Sequence, residues 1–335
     1  MTDHNTQVLF NSSPEGMPTP DNFRIAEAPM PVPGDGEFLL KNLYLSLDPY
    51  QRMLMGGGWT YSPNVLKPGD LMVGRVLGEV VETNNPDFPV GTHVVGRLGW
   101  QTHVVSDGTN LDFVVNPKDG VPLSAYLGVC GSTGVTAWVG LKMTGQPKAG
   151  ETVVVSAAAG SVGSCVGQLA KDMGCRAVGI AGGPDKCKLV EDEFGFDACI
   201  DYKAPNLAGQ LAEAAPDGVD VYFDNVGAEH LQAAIMHMRP FGRIPLCGAI
   251  AQYNDTEPRP GPNNLAVAIG LGLTLRGFIV SHFNHLADDF KRDMEDWVTT
   301  GQIVTKETIY QGIEQAGEAF IGLFTGANTG KMVVT

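Results

Sequence analysis

Basic residues are scarce in this sequence. Its 335 residues contain 22 lysines and arginines against 37 aspartates and glutamates, which gives a formal net charge of −15. Nonspecific binding to nucleic acid depends on lysine and arginine side chains that neutralise phosphates. We therefore expect no nucleic-acid partner, and local donors rather than a broad positive field must hold any anionic ligand.

Long apolar runs and secretion signals are also lacking. The most apolar long stretch, 265–280, is shorter than the roughly 20 residues of a membrane span and contains Arg276. The N-terminus has no positive region followed by an apolar core. The six cysteines show no C-x-x-C spacing, so we interpret them as buried thiols rather than as a disulfide framework. A cytoplasmic protein with no membrane partner is the expected setting.

The sequence also lacks a recognisable set of zinc ligands. A catalytic zinc takes three protein ligands, usually cysteine, histidine or glutamate. No cysteine precedes Cys130, and no cluster of four cysteines exists for a structural site. His282 and His285 have ligand-like H-x-x-H spacing, but no third ligand is evident. We predict no metal site.

The pattern of predicted strands and helices changes near residue 128. Before it, β-like runs such as "EFLLKNLYLSLD" are separated by turns rich in glycine and proline. Beyond it, strands alternate with helical stretches, beginning with "TVVVSA" and "VGSCVGQLAKDMG", and this alternation predicts a parallel sheet with helices on both faces. We predict an α/β fold in which a Rossmann-type, doubly wound domain (129–299) is inserted into a β-rich domain formed by 1–128 and 300–335.

The first of these strand-to-helix turns carries an incomplete dinucleotide fingerprint. Ala158 stands at the first glycine of G-x-G-x-x-G, whereas Gly160 and Gly163 occupy the other two positions. Alanine is compatible with the first position if the turn keeps φ negative there. Main-chain N–H groups at the start of the following helix would then face a pyrophosphate. The alternative is a purely structural turn.

The end of the next strand indicates which dinucleotide binds. NAD-binding units usually place an acidic residue there, about 20 residues past the glycines, to bind the ribose hydroxyls. Residues 179–183 contain no carboxylate, and Lys186 follows within one helical turn. Asp185 is expected to cap that helix, and Tyr202, past the third strand, offers a hydroxyl. A lysine without a competing carboxylate favours a 2′-phosphate, so we predict NADP(H), although Lys186 alone also fits a solvated helix position.

The segments "DPYQRM", "AAAGSVGS", "FDNVG", "CGAIAQYN" and "GKMVV" occur in this order. From about Leu39 to the C-terminus the chain resembles the zinc-free medium-chain dehydrogenases/reductases. More narrowly, it resembles the family of prostaglandin reductases, leukotriene hydroxydehydrogenases and 2-alkenal reductases, which includes bacterial curcumin reductases. The resemblance implies a GroES-like catalytic domain, a cytosolic homodimer, and reduction of the C=C bond of α,β-unsaturated ketones and aldehydes by NADPH without metal.

The resemblance also implies a cofactor site, residue by residue. The matched residues are Thr136, Gly160, Ser161, Val162, Gly163, Lys186, Tyr202, Asn225, Cys247, Gly248, Ala249, Ile250, Tyr253, Phe278, Ile279, Val280 and Asn328. Two departures from the family pattern border the expected substrate position. Ser281 and His282 replace larger aromatic residues, and "QRML" replaces the commoner "MRGRM" after Tyr50.

Enone reduction needs a donor for the oxygen that becomes negative as hydride arrives. Tyr253 is the first candidate, because its loop follows a central strand at the sheet edge where α/β proteins bind ligands. Its phenol, with a reference pKa of about 10, stays protonated at neutral pH. Tyr50 is a second catalytic candidate, the cofactor ribose hydroxyl a further donor, and packing alone an alternative role for either tyrosine. Quinone reduction and catalytically silent NADPH binding are the alternative functions.

Overall fold

The computed structural model describes residues 4–56, 60 and 64–335. Strands and helices are numbered in chain order. The strands are β1 (His4–Phe10), β2 (Phe23–Pro29), β3 (Phe38–Ser46), β4 (Val76–Thr83), β5 (His93–Gly96), β6 (His103–Ser106), β7 (Leu111–Val115), β8 (Thr152–Ser156), β9 (Arg176–Ala181), β10 (Ala198–Asp201), β11 (Val219–Phe223), β12 (Met238–Leu246), β13 (Thr274–Gly277), β14 (Glu307–Tyr310) and β15 (Lys331–Val334).

Most helices follow the strands of the second half of the chain. They are α1 (Gln51–Leu54), α2 (Ser132–Val139), α3 (Ser161–Asp172), α4 (Pro184–Asp192), α5 (Leu207–Ala214), α6 (Ala228–His237), α7 (Leu265–Leu271), α8 (Ala287–Thr299) and α9 (Ala316–Thr325). Short 3₁₀ segments include Ile250–Gln252 and Val280–Leu286. Within the described residues, no helix has both the length and the apolar character needed to cross a membrane.

The chain forms two compact units. A β-rich unit comprises residues 1–127, 253–256 and 307–335, and a second unit comprises 128–252 and 257–306. The short segment 253–256, which contains Tyr253, thus belongs to the β-rich unit although it lies within the range 129–299. A catalytic role for the β-rich unit stays a prediction.

The β-rich unit is built on a seven-stranded sheet. Its strand order is β14-β15-β3-β4-β5-β7, with β6 pairing on β3, and β1 and β2 form a separate antiparallel pair. Aromatic side chains pack among the aliphatic residues of its core. The Trp100 ring stacks on Phe23 with the centroids 5.7 Å apart and meets Phe320 edge to face at 5.7 Å. Such pairs stabilise a core beyond the area that they bury.

The second unit is a Rossmann fold. Its six strands follow the order β10-β9-β8-β11-β12-β13 and are all parallel. All residues of β8 and β11 are buried, as expected for strands covered by helices on both faces. The predicted α/β fold is therefore confirmed. The strand order reverses between β8 and β11, and in such sheets ligands bind outside the carboxyl ends of the two strands at that point.

Candidate active site

The carboxyl ends of β8 and β11 are joined by side-chain hydrogen bonds. Ser156, the last residue of β8, accepts at Oγ from the main-chain N–H of Asn225 at 2.8 Å. The amide Nδ2 of Asn225 donates back to the carbonyl oxygen of Ser156, also at 2.8 Å. This pair fixes Asn225, a predicted cofactor residue, beside the start of the glycine loop. The sequence reasoning missed Ser156, although a serine at the end of an apolar strand is a usable signal.

Asp224 organises the loop that follows β11. Its carboxylate is buried, and Oδ1 accepts from the Tyr222 hydroxyl at 3.0 Å and from the N–H groups of Val226 and Gly227 at 3.1 and 2.9 Å. Burial raises the pKa of Asp224, and these hydrogen bonds oppose that rise. The buried Asp224 carboxylate therefore stabilises the turn that leads into α6. It lies in the "FDNVG" segment but is absent from the predicted site residues.

The segment after β12 attaches to the same loop. The N–H groups of Cys247 and Gly248 donate to the carbonyl oxygen of Asp224 at 2.9 and 3.1 Å, and the N–H of Ile250 reaches the carbonyl oxygen of Asn225 at 3.4 Å. The structure therefore brings the predicted segment 247–250 together with Asn225. Burial, aided by the nearby Asp224 charge, raises the pKa of the Cys247 thiol to about 12, so this thiol stays protonated.

The glycine loop begins with a left-handed residue. Ala157 has a φ of 52°, whereas Ala158 is not among the residues with positive φ. The condition for alanine at position 158, a negative φ, is thus met, and the left-handed conformation falls on its neighbour Ala157. Left-handed alanine costs roughly 1–2 kcal/mol. Such strain is concentrated at ligand-binding turns.

Gly160 and Gly163 have different surroundings in this loop. Gly160 is the N-cap of α3 in an extended conformation, and a Cβ there would lie 3.2 Å from the Ala157 carbonyl oxygen. At Gly163 a Cβ would lie 2.2 Å from that oxygen, which no side chain can occupy. Close helix–strand packing therefore requires Gly163, whereas Gly160 leaves space that a pyrophosphate can approach. The N-terminal turn of α3, with Ser161 and Val162, presents its N–H groups there.

Two further predicted cofactor segments lie in the Rossmann unit. The Thr136 hydroxyl donates to the carbonyl oxygen of Ser132 at 2.7 Å within α2. Phe278 follows β13, with its ring 6.1 Å from that of Phe223, and Ile279 is half exposed. β13 ends at Gly277, directly before the segment 278–280.

The candidate 2′-phosphate site lies at the carboxyl ends of β9 and β10. The N-cap of α4 is Gly183, with a φ of 99°, and Pro184 occupies the first helical position. The expectation that Asp185 caps this helix is wrong, because Asp185 lies within the first turn. Lys186, one residue further, has its pKa lowered by burial and by the positive charge of Lys203. The Tyr202 ring is partly exposed and meets His230 edge to face at 5.1 Å.

Tyr50, Tyr253 and Asn328 lie in the β-rich unit, and each is partly buried. Tyr50 is the N-cap of α1, directly before the buried Gln51 and Arg52. The guanidinium of Arg52 donates to the carbonyl oxygens of Gly56 and Gly16 and to the side chain of Asn254, the residue after Tyr253. Arg52 therefore joins the main-chain segments that carry the two tyrosines. Asn328 donates through Nδ2 to the carbonyl oxygen of Gly330 at 2.9 Å.

Two family profiles match the chain. Residues 6–114 match a family described as the N-terminal domain of oxidoreductase, and residues 161–300 match one described as zinc-binding dehydrogenase. The described side chains do not fit a zinc ion, because no group of three or more histidine, cysteine, aspartate or glutamate residues among them is arranged to hold a metal. His282 and His285 are exposed on the segment Val280–Leu286.

Curated relatives match almost the whole length of the chain. NADPH-dependent curcumin reductase from Escherichia coli is 43% identical, with 98% of this chain and 96% of the relative covered. Prostaglandin reductase 1 from Sus scrofa is 42% identical, with 95% of each covered. The NADP(+)-dependent 2-alkenal reductase from Nicotiana tabacum is 39% identical, with 98% of this chain and 97% of the relative covered.

A solved structure agrees with these relatives. CurA from Vibrio vulnificus in complex with NADPH superposes with a TM-score of 0.92 at 42% identity, and 98% of each chain is covered. Full-length identity at this level, together with the two family profiles, is decisive for the family. The chain belongs to the medium-chain dehydrogenases/reductases, in the group of the prostaglandin reductases, 2-alkenal reductases and curcumin reductases.

Proposed function

We propose that the protein is an NADPH-dependent oxidoreductase that reduces the C=C bond of α,β-unsaturated ketones and aldehydes. The observation that carries the proposal is the full-length similarity to three reductases, two of which are named for NADPH or NADP(+). One of these names specifies 2-alkenals, which are aldehydes conjugated to a C=C bond.

The Rossmann unit offers a site that fits NADPH. Around Gly160 the loop leaves room for a pyrophosphate at the N-terminus of α3. Lys186 and Tyr202 supply a cation and a hydroxyl for the 2′-phosphate. The loop after Asp224 contacts the nicotinamide end of the cofactor. The remaining cofactor contacts are proposed from Thr136, Asn225, 247–250, 278–280, Tyr253 and Asn328.

When bound, NADPH supplies a hydride to the β-carbon of the substrate. The chain must then stabilise the carbonyl oxygen, on which negative charge grows as the C=C bond is reduced. The hydroxyl of Tyr253 donates a hydrogen bond to that oxygen, because a positioned donor stabilises negative charge that develops in the transition state. Tyr50, in the segment that Arg52 ties to Asn254, lines the substrate side.

The substrate specificity depends on positions where the chain departs from the family pattern. Ser281 and His282 are exposed and smaller than the aromatic residues common there, and Gln51 is buried next to Tyr50. Fewer aromatic side chains beside the substrate favour a wider or more polar enone. We propose that these residues set the size and shape of the accepted substrate.

A panel of candidate substrates tests the proposed function. NADPH oxidation should be measured with alkenals, aryl enones, quinones and alcohols, and each product should be identified by mass spectrometry. Saturated ketones or aldehydes as products support the proposal, and hydroquinones as the only products support a quinone reductase instead. Tight NADPH binding without turnover on either class supports a silent NADPH-binding protein.

A further inference from the structure

Lys203 lies beside the proposed 2′-phosphate site and is not among the residues predicted for it. It follows Tyr202 directly, just beyond the carboxyl end of β10. A Cβ at Gly182, on the neighbouring strand end, would lie 2.9 Å from Cε1 of Tyr202 and 3.1 Å from Cε of Lys203. The aromatic ring and the lysine stem therefore both lie across Gly182, in space that only a glycine leaves open.

One carboxylate fixes the main chain around this position. Oδ1 of Asp201 accepts from the N–H of Gly183 at 2.7 Å and from the N–H of Lys203 at 2.9 Å. The loop before α4 and the loop after β10 are thereby tied together. Asp201 directs this oxygen at main-chain donors, and within the described residues no carboxylate lies within ion-pair distance of the Lys203 ammonium.

The two lysines at this site repel each other. Burial is the main cause that lowers the pKa of Lys186, and the charge of Lys203 lowers it further, so the two ammonium groups are close enough to interact. In a chain with a net charge of −15, a local pair of cations is not part of a general basic surface. A dianion between the two groups would convert the repulsion into two attractions.

We propose that Lys203 is a second cation for the 2′-phosphate of NADPH and, together with Lys186, determines the preference for NADPH over NADH. The proposal rests on the cofactor part of the proposed function and does not depend on the substrate. The aromatic ring of Tyr202, which lies beside Lys203 over Gly182, meets the ring of the buried His230 edge to face at 5.1 Å.

Equilibrium binding tests this assignment without turnover. Dissociation constants should be measured by fluorescence and calorimetry for NADPH, NADH, 2′,5′-ADP and 5′-AMP on the unmodified protein and on Lys203→Ala, Lys203→Gln and Lys186→Ala. A lost charge-assisted contact should weaken NADPH and 2′,5′-ADP on the order of tenfold for each lysine. NADH and 5′-AMP should change less than about twofold, because they carry no 2′-phosphate.

Lys188→Ala is the matched control. This lysine lies on the same helix as Lys186, is exposed, and pairs with Asp192 one turn away, so its removal should leave all four constants unchanged. The assignment is overturned if Lys203→Ala keeps the full NADPH preference, or if it weakens NADPH and NADH equally, as a merely structural residue would. An unmodified protein that binds NADPH no better than NADH overturns both this proposal and the NADP preference, whereas inactivity on enones affects only the proposed reaction.

Discussion

Nε of Arg52 donates to Oδ1 of Asn254 at 3.0 Å, across 202 residues of sequence. The arginine is only 2% exposed, and within the described residues its hydrogen-bond acceptors are carbonyl and amide oxygens rather than carboxylates. A planar guanidinium can serve several such oxygens at fixed angles, which a lysine ammonium cannot do. Arg52 therefore anchors the residue that follows Tyr253 to α1 within the β-rich unit.

Arg52→Lys is expected to lower both stability and turnover. Replacing the guanidinium leaves several buried carbonyl groups without a donor. Each unsatisfied group lowers the free energy of unfolding by about 1–3 kcal/mol. Asn254→Ala, which removes one acceptor, should show a smaller effect of the same kind. Thermal unfolding and kcat on an enone would measure both. Arg24→Lys, on the exposed part of β2, is the control, and an Arg52→Lys protein as stable as that control would contradict the expectation.

Tyr253→Phe is expected to slow hydride transfer more than it weakens NADPH binding. The change removes one oxygen and keeps the ring. Removing a principal oxyanion donor costs about 10²–10³ in kcat. Since a ribose hydroxyl can share this role, we expect a loss on the order of tenfold or more. Single-turnover measurements with deuterated cofactor isolate the chemical step. Full speed in Tyr253→Phe with a slow Tyr50→Phe would assign the role to the other tyrosine.

Alanine substitutions at the two glycines of the fingerprint should affect stability and NADPH binding differently. Gly163→Ala forces a Cβ onto the Ala157 carbonyl oxygen and should destabilise the Rossmann unit by about 1–3 kcal/mol or more. Gly160→Ala places a Cβ 3.2 Å from that oxygen, a tight contact that a small shift of the loop relieves, so it should lose less stability and bind NADPH more weakly. Denaturant unfolding and NADPH titration would separate the effects. Equal stability losses in the two variants would show that both glycines act through packing.

The ion pair of Asp48 and Lys331 gives the β-rich unit a predictable response to acid. Burial alone would raise the pKa of Asp48, but the Lys331 ammonium at 2.8 Å and the Ser46 hydroxyl at 2.6 Å lower it below its usual value. A lowered pKa contributes stability that is present above the unfolded pKa of about 3.9 and is lost as the pH falls further. Burial also lowers the pKa of Lys331, which stays protonated throughout this acid range.

Lys331→Met should reverse the sign of that response. Asp48 would be left buried without its partner, so stability at neutral pH should fall by about 3–5 kcal/mol. The pKa of Asp48 would then be raised, and stability should increase as acid neutralises the carboxylate. Denaturant unfolding between pH 3 and 7 measures the slope. An unchanged acid response in Lys331→Met would show that the pair does not control it.

A homodimer is expected from the position of β13. This strand pairs with β12 on one side and ends the parallel sheet on the other. An open strand edge is an association site, and pairing with the same edge of a second copy satisfies it symmetrically. Ile269, on the preceding helix, is 84% exposed. Sedimentation at micromolar concentration should give a dimer, and a monomer there would contradict the prediction.

The local features of the site were predictable from the sequence, and the contacts between distant segments were not. The alternation of strands and helices indicates the parallel sheet, and the segment around Gly160 indicates the phosphate loop, because both are short-range patterns. The position of Asp224 depends in part on Ser156, 68 residues earlier, whose hydroxyl donates to its carboxylate at 3.4 Å. The hydrogen bond between Arg52 and Asn254 joins residues 202 positions apart, and no sequence pattern predicts it. Lys203 was missed because its relation to Gly182 exists only once β9 and β10 are adjacent.

The last strand has a consequence for how the chain is synthesised. β15 lies between β14 and β3 in the large sheet, with Val333 and Val334 opposite Ser46 and Leu45. Residues 38–46 leave the ribosome long before their partner is made. The edge of β3 that pairs with β15 therefore stays open while the Rossmann unit is translated. The sheet is completed only after Val334 has left the ribosome. During that interval the unpaired end of β3, at Leu45 and Ser46, is exposed to pairing with other chains.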